Sequence, residues 1–283
     1  SDMDVGDYHA APGEEFVAVA LQGVVFLTRD GRQLETHDFR DQSWFRNNDG
    51  RLFDHYIVQA DGDQGCEYYT SGDRALLIDT EGEVLWSSAS LLEGSDHSTI
   101  EGVGDITGDG LPEFFCLTWR WMHTLRRTDG SAVWSKGELT RSRRRKAWRY
   151  PPWFLSGCGI FDVDGDGDEE LVGITAASGE FCVLDSDGNE LVRKKVFENW
   201  PIRDDNWGEY AVCDYYPYGE LGPVSHMLYW SSFSRRMTLV TLPELETVNS
   251  WQAPGSMWLR GRLARLVPGE RPYLVVKNTI AYQ

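Results

Sequence analysis

Nowhere in these 283 residues do about 20 apolar side chains run together, the length a helix needs to cross a bilayer, so no membrane insertion is expected. The opening SDMDVGDYHA lacks the basic, apolar and small-residue regions of a secretory leader, and the chain is expected to be soluble. Basic residues are scarce: 27 Lys and Arg stand against 45 Asp and Glu, a net charge of -18. That balance opposes broad binding to nucleic acid or to an anionic membrane, and suits a cationic ligand or metal ions. Zinc-type spacing is missing as well. The five cysteines, Cys66, Cys116, Cys158, Cys182 and Cys213, form no CxxC pair, and several sit inside apolar runs such as EFFCLTW and EFCVLD. They read as buried free thiols, with one disulfide as the alternative. Catalytic signatures are absent too: there is no GxSxG elbow, no HExxH and no phosphate loop, and the six histidines are scattered.

What the chain does have is the stretch FDVDGDGDEELV, Phe161 to Val172. Asp162, Asp164 and Asp166 alternate with Gly165 and Gly167, and Glu170 stands at the ninth position from Asp162, where an apolar run begins. Two carboxylates about 4 Å apart repel by roughly 1 kcal/mol in water and several times more at a protein surface. A hard cation resolves the conflict. Calcium takes oxygen ligands only, and glycines let a backbone curl round it. An EF-hand is excluded, because its twelfth position is Gly173 rather than Glu, and the flanks GIF and ELVGI have strand character.

The stretch recurs. DITGDGLPEFF places Asp105, Thr107, Asp109 and Glu113 at the first, third, fifth and ninth positions. QADGDQGCEYY places Gln59, Asp61, Asp63 and Glu67 there, and DYHAAPGEEFV places Asp7, His9, Ala11 and Glu15. A period of about 50 residues marks a repeat architecture. Each ninth-position Glu is followed by two strand-like runs and a hairpin turn whose glycine, Gly31, Gly82, Gly130 or Gly188, trails it by 16, 15, 17 or 18 residues. Each unit therefore reads as strand, acidic loop, strand, strand, hairpin, strand. Two further copies, from Tyr210 and from Gly261, keep the strand rhythm without an acidic set, and the last stops inside its third strand. The expected fold is all-β: a β-propeller of four-stranded blades, about six in this chain with the last incomplete, and six to eight in the intact protein. With no Pro-, Gly- or Ser-rich linker, residues 1-283 are read as a single domain, with blades near 5-36, 57-87, 102-135, 158-194, 210-251 and 261-283. Trp86 and Trp134, at the ends of hairpin strands, are expected to fill space between neighbouring blades. A β-sandwich is the competing fold, but it gives no reason for a repeating acidic loop.

DITGDGLPEF and DVDGDGDEEL resemble the FG-GAP or VCBS repeats of calcium-binding propellers, the blades of integrin alpha subunits and of many bacterial surface and secreted proteins. The resemblance implies a loop between the first and second strands of a blade, holding calcium through side chains and one backbone carbonyl. By match the ligands are Asp162, Asp164, Asp166 and Glu170 with the carbonyl of Asp168, and Asp105, Asp109 and Glu113 with the carbonyl of Leu111. Thr107 departs from the family's usual Asp or Asn. It further implies an extracellular, cell-surface or periplasmic location. Weak extracellular sites, with dissociation constants of about 0.1 to 1 mM, would stand empty in cytosol.

Connections expected on the face opposite the acidic loops carry Trp44 and Arg46, Trp119 and Trp121, Arg149, and Trp200, Arg203, Asp205 and Trp207. Flat aromatics beside Arg and Asp suit stacking on sugar rings, and this face is the expected site for a glycan or protein ligand. An equal alternative is that these tryptophans fill gaps between blades and the charges are solvated. The functional expectation is a non-catalytic, calcium-stabilised binding propeller, monomeric or part of a larger multidomain protein. The alternative is the propeller of a rhamnogalacturonan-type polysaccharide lyase, with Arg149, Arg203 or His123 acting on a uronate.

Overall fold

The structure is a computed structural model that describes residues 2–6, 15–20, 23–28, 30–42, 53–60, 67–71, 76–79, 83–87, 98–118, 123–136, 155–175, 178–196, 211–217, 220–231, 236–252, 258–264 and 273–279. Among the described residues every regular element is a strand, as the alternating, glycine-punctuated sequence requires. Two compact units divide the chain: Ser1–Asp105 with Asp109–Thr140, and Ile106–Gly108 with Arg141–Gln283.

The first unit holds three antiparallel sheets. They are β1 (Asp2–Gly6), β2 (Glu15–Ala20), β3 (Gly23–Leu27) and β4 (Gln33–Asp38); β5 (Phe53–Val58), β6 (Glu67–Ser71), β7 (Leu76–Ile78) and β8 (Val84–Ser87); and β9 (Ser98–Gly104), β10 (Glu113–Thr118), β11 (His123–Arg126) and β12 (Ala132–Lys136). In the second unit β13 (Leu155–Phe161), β14 (Glu170–Thr175), β15 (Glu180–Leu184) and β16 (Glu190–Lys195) form one sheet, and β17 (Ala211–Tyr216), β18 (His226–Ser231), β19 (Arg236–Thr241) and β20 (Thr247–Gln252) another. The second unit also holds a two-stranded sheet of β21 (Trp258–Ala264) and β22 (Tyr273–Thr279). Among the described residues strand order follows sequence order within each sheet, giving five four-stranded sheets and one two-stranded sheet, in agreement with the repeat reading.

Apolar faces of successive blades supply the cores. In the first unit, Val24, Phe26 and Phe39 pack with Ile57, Tyr68, Leu76 and Ile78 of the next blade, and Val58, Leu77 and Trp86 pack with Phe114 and Cys116 of the blade after. In the second, Phe161, Val163, Val172, Ile174, Phe181 and Val183 pack with Cys213, Met227, Val240 and Leu242. Trp86 fills space between two blades as expected, and Trp134 packs on Phe115 of its own blade, their ring centroids 5.9 Å apart. Cys116, Cys158, Cys182 and Cys213 are free thiols, three of them buried; Cys66 lies outside the described residues.

The hairpins explain the spacing of the turn glycines. Gly31, Gly130 and Gly188 have φ of 82°, 81° and 73°, and each donates its N–H to the carbonyl three residues earlier. In the fifth blade Leu245 takes this seat with φ 63°, in a turn one residue longer, where its N–H reaches Thr241. Three residues beyond each of these four seats the register of the last two strands slips, leaving Leu34, Val133, Leu191 and Val248 as bulges on the outer strand, and Leu85 is bulged likewise in the second blade. A bulge twists an edge strand away from foreign partners, so all five outer edges carry the same protection. A Cβ on Gly31 would meet nothing within 4 Å, so Gly31→Ala tests backbone strain alone. It is expected to cost about 1 kcal/mol, read in a denaturant melt.

Candidate metal site

The acidic loops join the first and second strands of their blades, and the ninth-position glutamates, Glu15, Glu67, Glu113 and Glu170, are the first residues of β2, β6, β10 and β14. In the loop between β13 and β14, Asp162 organises the backbone. Its Oδ1 accepts the Gly165 N–H at 2.6 Å and its Oδ2 the Gly167 N–H at 3.1 Å. Asp164 Oδ1 accepts the Asp166 N–H at 3.3 Å, and Asp166 Oδ1 accepts the Asp168 N–H at 3.0 Å. Such Asx bonds close successive turns. Gly165 and Gly167, at φ 87° and 100°, supply the left-handed steps that reverse the chain.

The outcome is a carboxylate cluster: one oxygen from each of Asp162, Asp164 and Asp166 lies within 4.8 Å of the other two. Asp162 is partly covered, while Asp164 and Asp166 are exposed. The donor set fits calcium, since it is all oxygen, anionic and carried on a short glycine-rich loop.

Glu170 does something the sequence did not announce. It is buried, and its Oε2 accepts the Val163 N–H at 3.0 Å, folding back over the loop. Burial pushes its carboxyl up to about 7; the Val163 N–H pulls the other way, and the charges of Asp164, Asp166 and Asp162 push it further up. The second blade repeats the latch, with buried Glu67 Oε2 accepting the Ala60 N–H at 2.5 Å. Its signal was present in the sequence: Ala60, Ile106 and Val163, at the second loop position, are apolar and buried at 2%, 5% and 3% exposure.

In the third blade Asp105 Oδ1 and Oδ2 accept the N–H groups of Asp109 and Gly110 at 3.0 and 2.8 Å, and Asp109 Oδ1 accepts that of Leu111 at 3.0 Å. Glu113 is buried at 1% exposure. Among the described residues, Asp162, Asp164 and Asp166 are the one group of three or more such side chains within reach of a single ion, so Asp105, Asp109 and Glu113 share the loop geometry without forming that cluster. In the fifth blade His226 opens β18 in the glutamate's place, buried at 7% exposure. Asp61 and Asp63 lie outside the described residues, as do Trp44, Arg46, Trp119, Trp121, Arg149, Trp200, Arg203, Asp205 and Trp207 of the expected ligand face.

No protein-family model matches the chain, and no curated protein matches it by sequence. Solved structures do. BBS1N in complex with ARL6DN, in a lead-soaked crystal, is similar at a TM-score of 0.55 and 9% identity, over 93% of this chain and 72% of that one. The mercury-soaked crystal of the same complex gives 0.52 and 8%, over 93% and 71%. BamB from Moraxella catarrhalis aligns at 0.48 and 12% over 87% of this chain, which spans 63% of the BamB chain. The BBS1N structures are β-propellers, and the fold of this chain is a β-propeller.

Proposed function

We propose that this chain is a calcium-stabilised β-propeller with repeats of FG-GAP or VCBS type, a single domain over 1–283 that binds a carbohydrate or protein ligand outside the cytoplasm. The observation that carries the reading is the convergence of Asp162, Asp164 and Asp166 within 4.8 Å on a loop whose backbone N–H groups already orient all three carboxylates. Calcium supplies the positive charge that offsets their mutual repulsion. Asp162, Asp164, Asp166 and Glu170, with the Asp168 carbonyl, would hold it, and the Asp105 loop is a second, weaker candidate. A site of millimolar strength is filled outside cells and empty in cytosol, which supports the location. The tryptophan- and arginine-bearing connections are the proposed ligand face.

Asp164→Asn tests the metal with opposite signs in two buffers. In chelator the variant is expected to melt above the wild type, because one repelling charge is gone; with calcium present it melts below, because a ligand is gone. A variant whose melt does not cross the wild type's between the two buffers rejects the site. A glycan array probed with the full chain tests the ligand, and absence of any calcium-dependent signal rejects the carbohydrate arm.

A further inference from the structure

We propose that Ser225 of the fifth blade is a positioning residue for the fourth blade's calcium loop, so that this site is complete only with the next blade in place. The inference rests on the calcium reading above. Ser225 is fully buried, and its hydroxyl donates to the main-chain carbonyl of Asp162 at 3.2 Å. That carbonyl belongs to the same peptide unit as the Val163 N–H, which donates to Glu170 Oε2 at 3.0 Å. One peptide plane is thus gripped at both ends, from its own blade by Glu170 and from the next by Ser225.

The plane matters because a peptide is rigid and turns only about its two flanking single bonds. Fixing the plane between Asp162 and Val163 fixes ψ of Asp162, and with it the start of the loop whose carboxylates gather. Phe161 and Val163, on either side of Asp162, are buried in the core shared by the two blades at 6% and 3% exposure, so the segment is pinned by packing as well. Ser225 is itself held: its carbonyl accepts the Leu242 N–H at 2.8 Å, and Leu242 belongs to that core. The fifth blade's own loop has no aspartate at these positions, and His226 stands where the other blades have glutamate. This loop serves its neighbour's site instead of carrying one. Pre-organising a site lowers the ordering cost of binding, so loss of the hydroxyl is read in calcium affinity.

The test is calcium titration by calorimetry of the full chain as wild type, Ser225→Ala, Ser225→Thr and Leu77→Val, with melts in chelator; Leu77 is fully buried in a core of the first unit and touches no part of the proposed tie. Expected are an affinity about tenfold weaker for Ser225→Ala, return to within about threefold of wild type for Ser225→Thr, and no change for Leu77→Val despite a lower melt. Should Ser225→Ala unfold, Ser225→Cys keeps the volume while removing the strong donor, and the same loss of affinity is expected. Wild-type affinity in Ser225→Ala or Ser225→Cys overturns the inference while leaving the calcium reading intact, as does an equal loss in Leu77→Val. A wild-type chain that takes up no calcium overturns both.

Discussion

In a chelator at neutral pH the protein is expected to melt about 5 to 10 °C below its value in calcium. A ligand held at about 100 times its dissociation constant adds roughly 2.7 kcal/mol, and about 2 to 4 °C of melting temperature accompanies each kcal/mol in a chain of this class. The chelated protein should also depend on pH with a definite sign. Glu170 is raised in the folded state from 4.5 to about 7, chiefly because it is buried and then because Asp164, Asp166 and Asp162 surround it. Between those values the folded chain holds a proton that the unfolded chain has lost, so its contribution is full below about 4.5 and disappears as pH rises through about 7. Buried His226 acts with the opposite sign, since its lowered value favours the folded state as pH rises toward 6.5. Glu170→Gln separates the two: the wild-type melt minus the variant's should fall from pH 5 to 8 in chelator and stay level in calcium. A flat difference in chelator, or equal melts with and without calcium, rejects the assignment.

The blade rhythm was legible because each landmark is local. An acidic loop, a glutamate opening the second strand and a glycine three residues from the start of its turn all sit within one unit, and Gly31, Gly130 and Gly188 are the positive-φ residues that the hairpins require. The fifth blade kept its strand rhythm in the sequence, but its turn could not be placed because a leucine, Leu245, holds the left-handed seat in a longer turn, and nothing in its side chain signals φ 63°. Strand starts such as Phe53 and Ser98 fall before the repeat motif and leave no periodic mark at the loop from which the units were aligned. Half of the site could be read and half could not. The alternating aspartates announce their own convergence, yet Glu170 looks like one more ligand until its bond to Val163 is seen. The tie from Ser225 to Asp162 spans 63 residues, and local spacing carries no record of a contact made by blade packing.

Packing between blades should dominate stability, and buried Trp86 is part of that packing in the first unit. Trp86→Ala is expected to cost about 3 to 5 kcal/mol, the range for an aromatic removed from a core. Its ring is 6.3 Å from that of Phe114, edge to face, and the Arg126 guanidinium lies 5.9 Å above it. Arg126, itself buried, donates Nη1–H to the Gly130 carbonyl at 2.5 Å, so the same side chain that covers the tryptophan also holds the next blade's turn. Gly130 closes the arrangement: a Cβ there would stand 3.0 Å from the Trp86 ring, at a backbone φ of 81°. Gly130→Ala therefore adds a clash to the strain that Gly31→Ala suffers alone, and is expected to cost about 2 to 3 kcal/mol against about 1. Most of the excess belongs to the ring, whose Cγ and Cδ2 would stand 3.0 and 3.2 Å from that Cβ. In a Trp86→Ala background, which removes both atoms and leaves only the Trp86 Cβ, 3.1 Å away, the cost of Gly130→Ala should fall toward that of Gly31→Ala, a coupling of about 1 kcal/mol in a double-mutant cycle followed by denaturant melts. Equal costs for Gly31→Ala and Gly130→Ala in the wild-type background, or no coupling to Trp86, would show that the turn and the ring do not bear on one another.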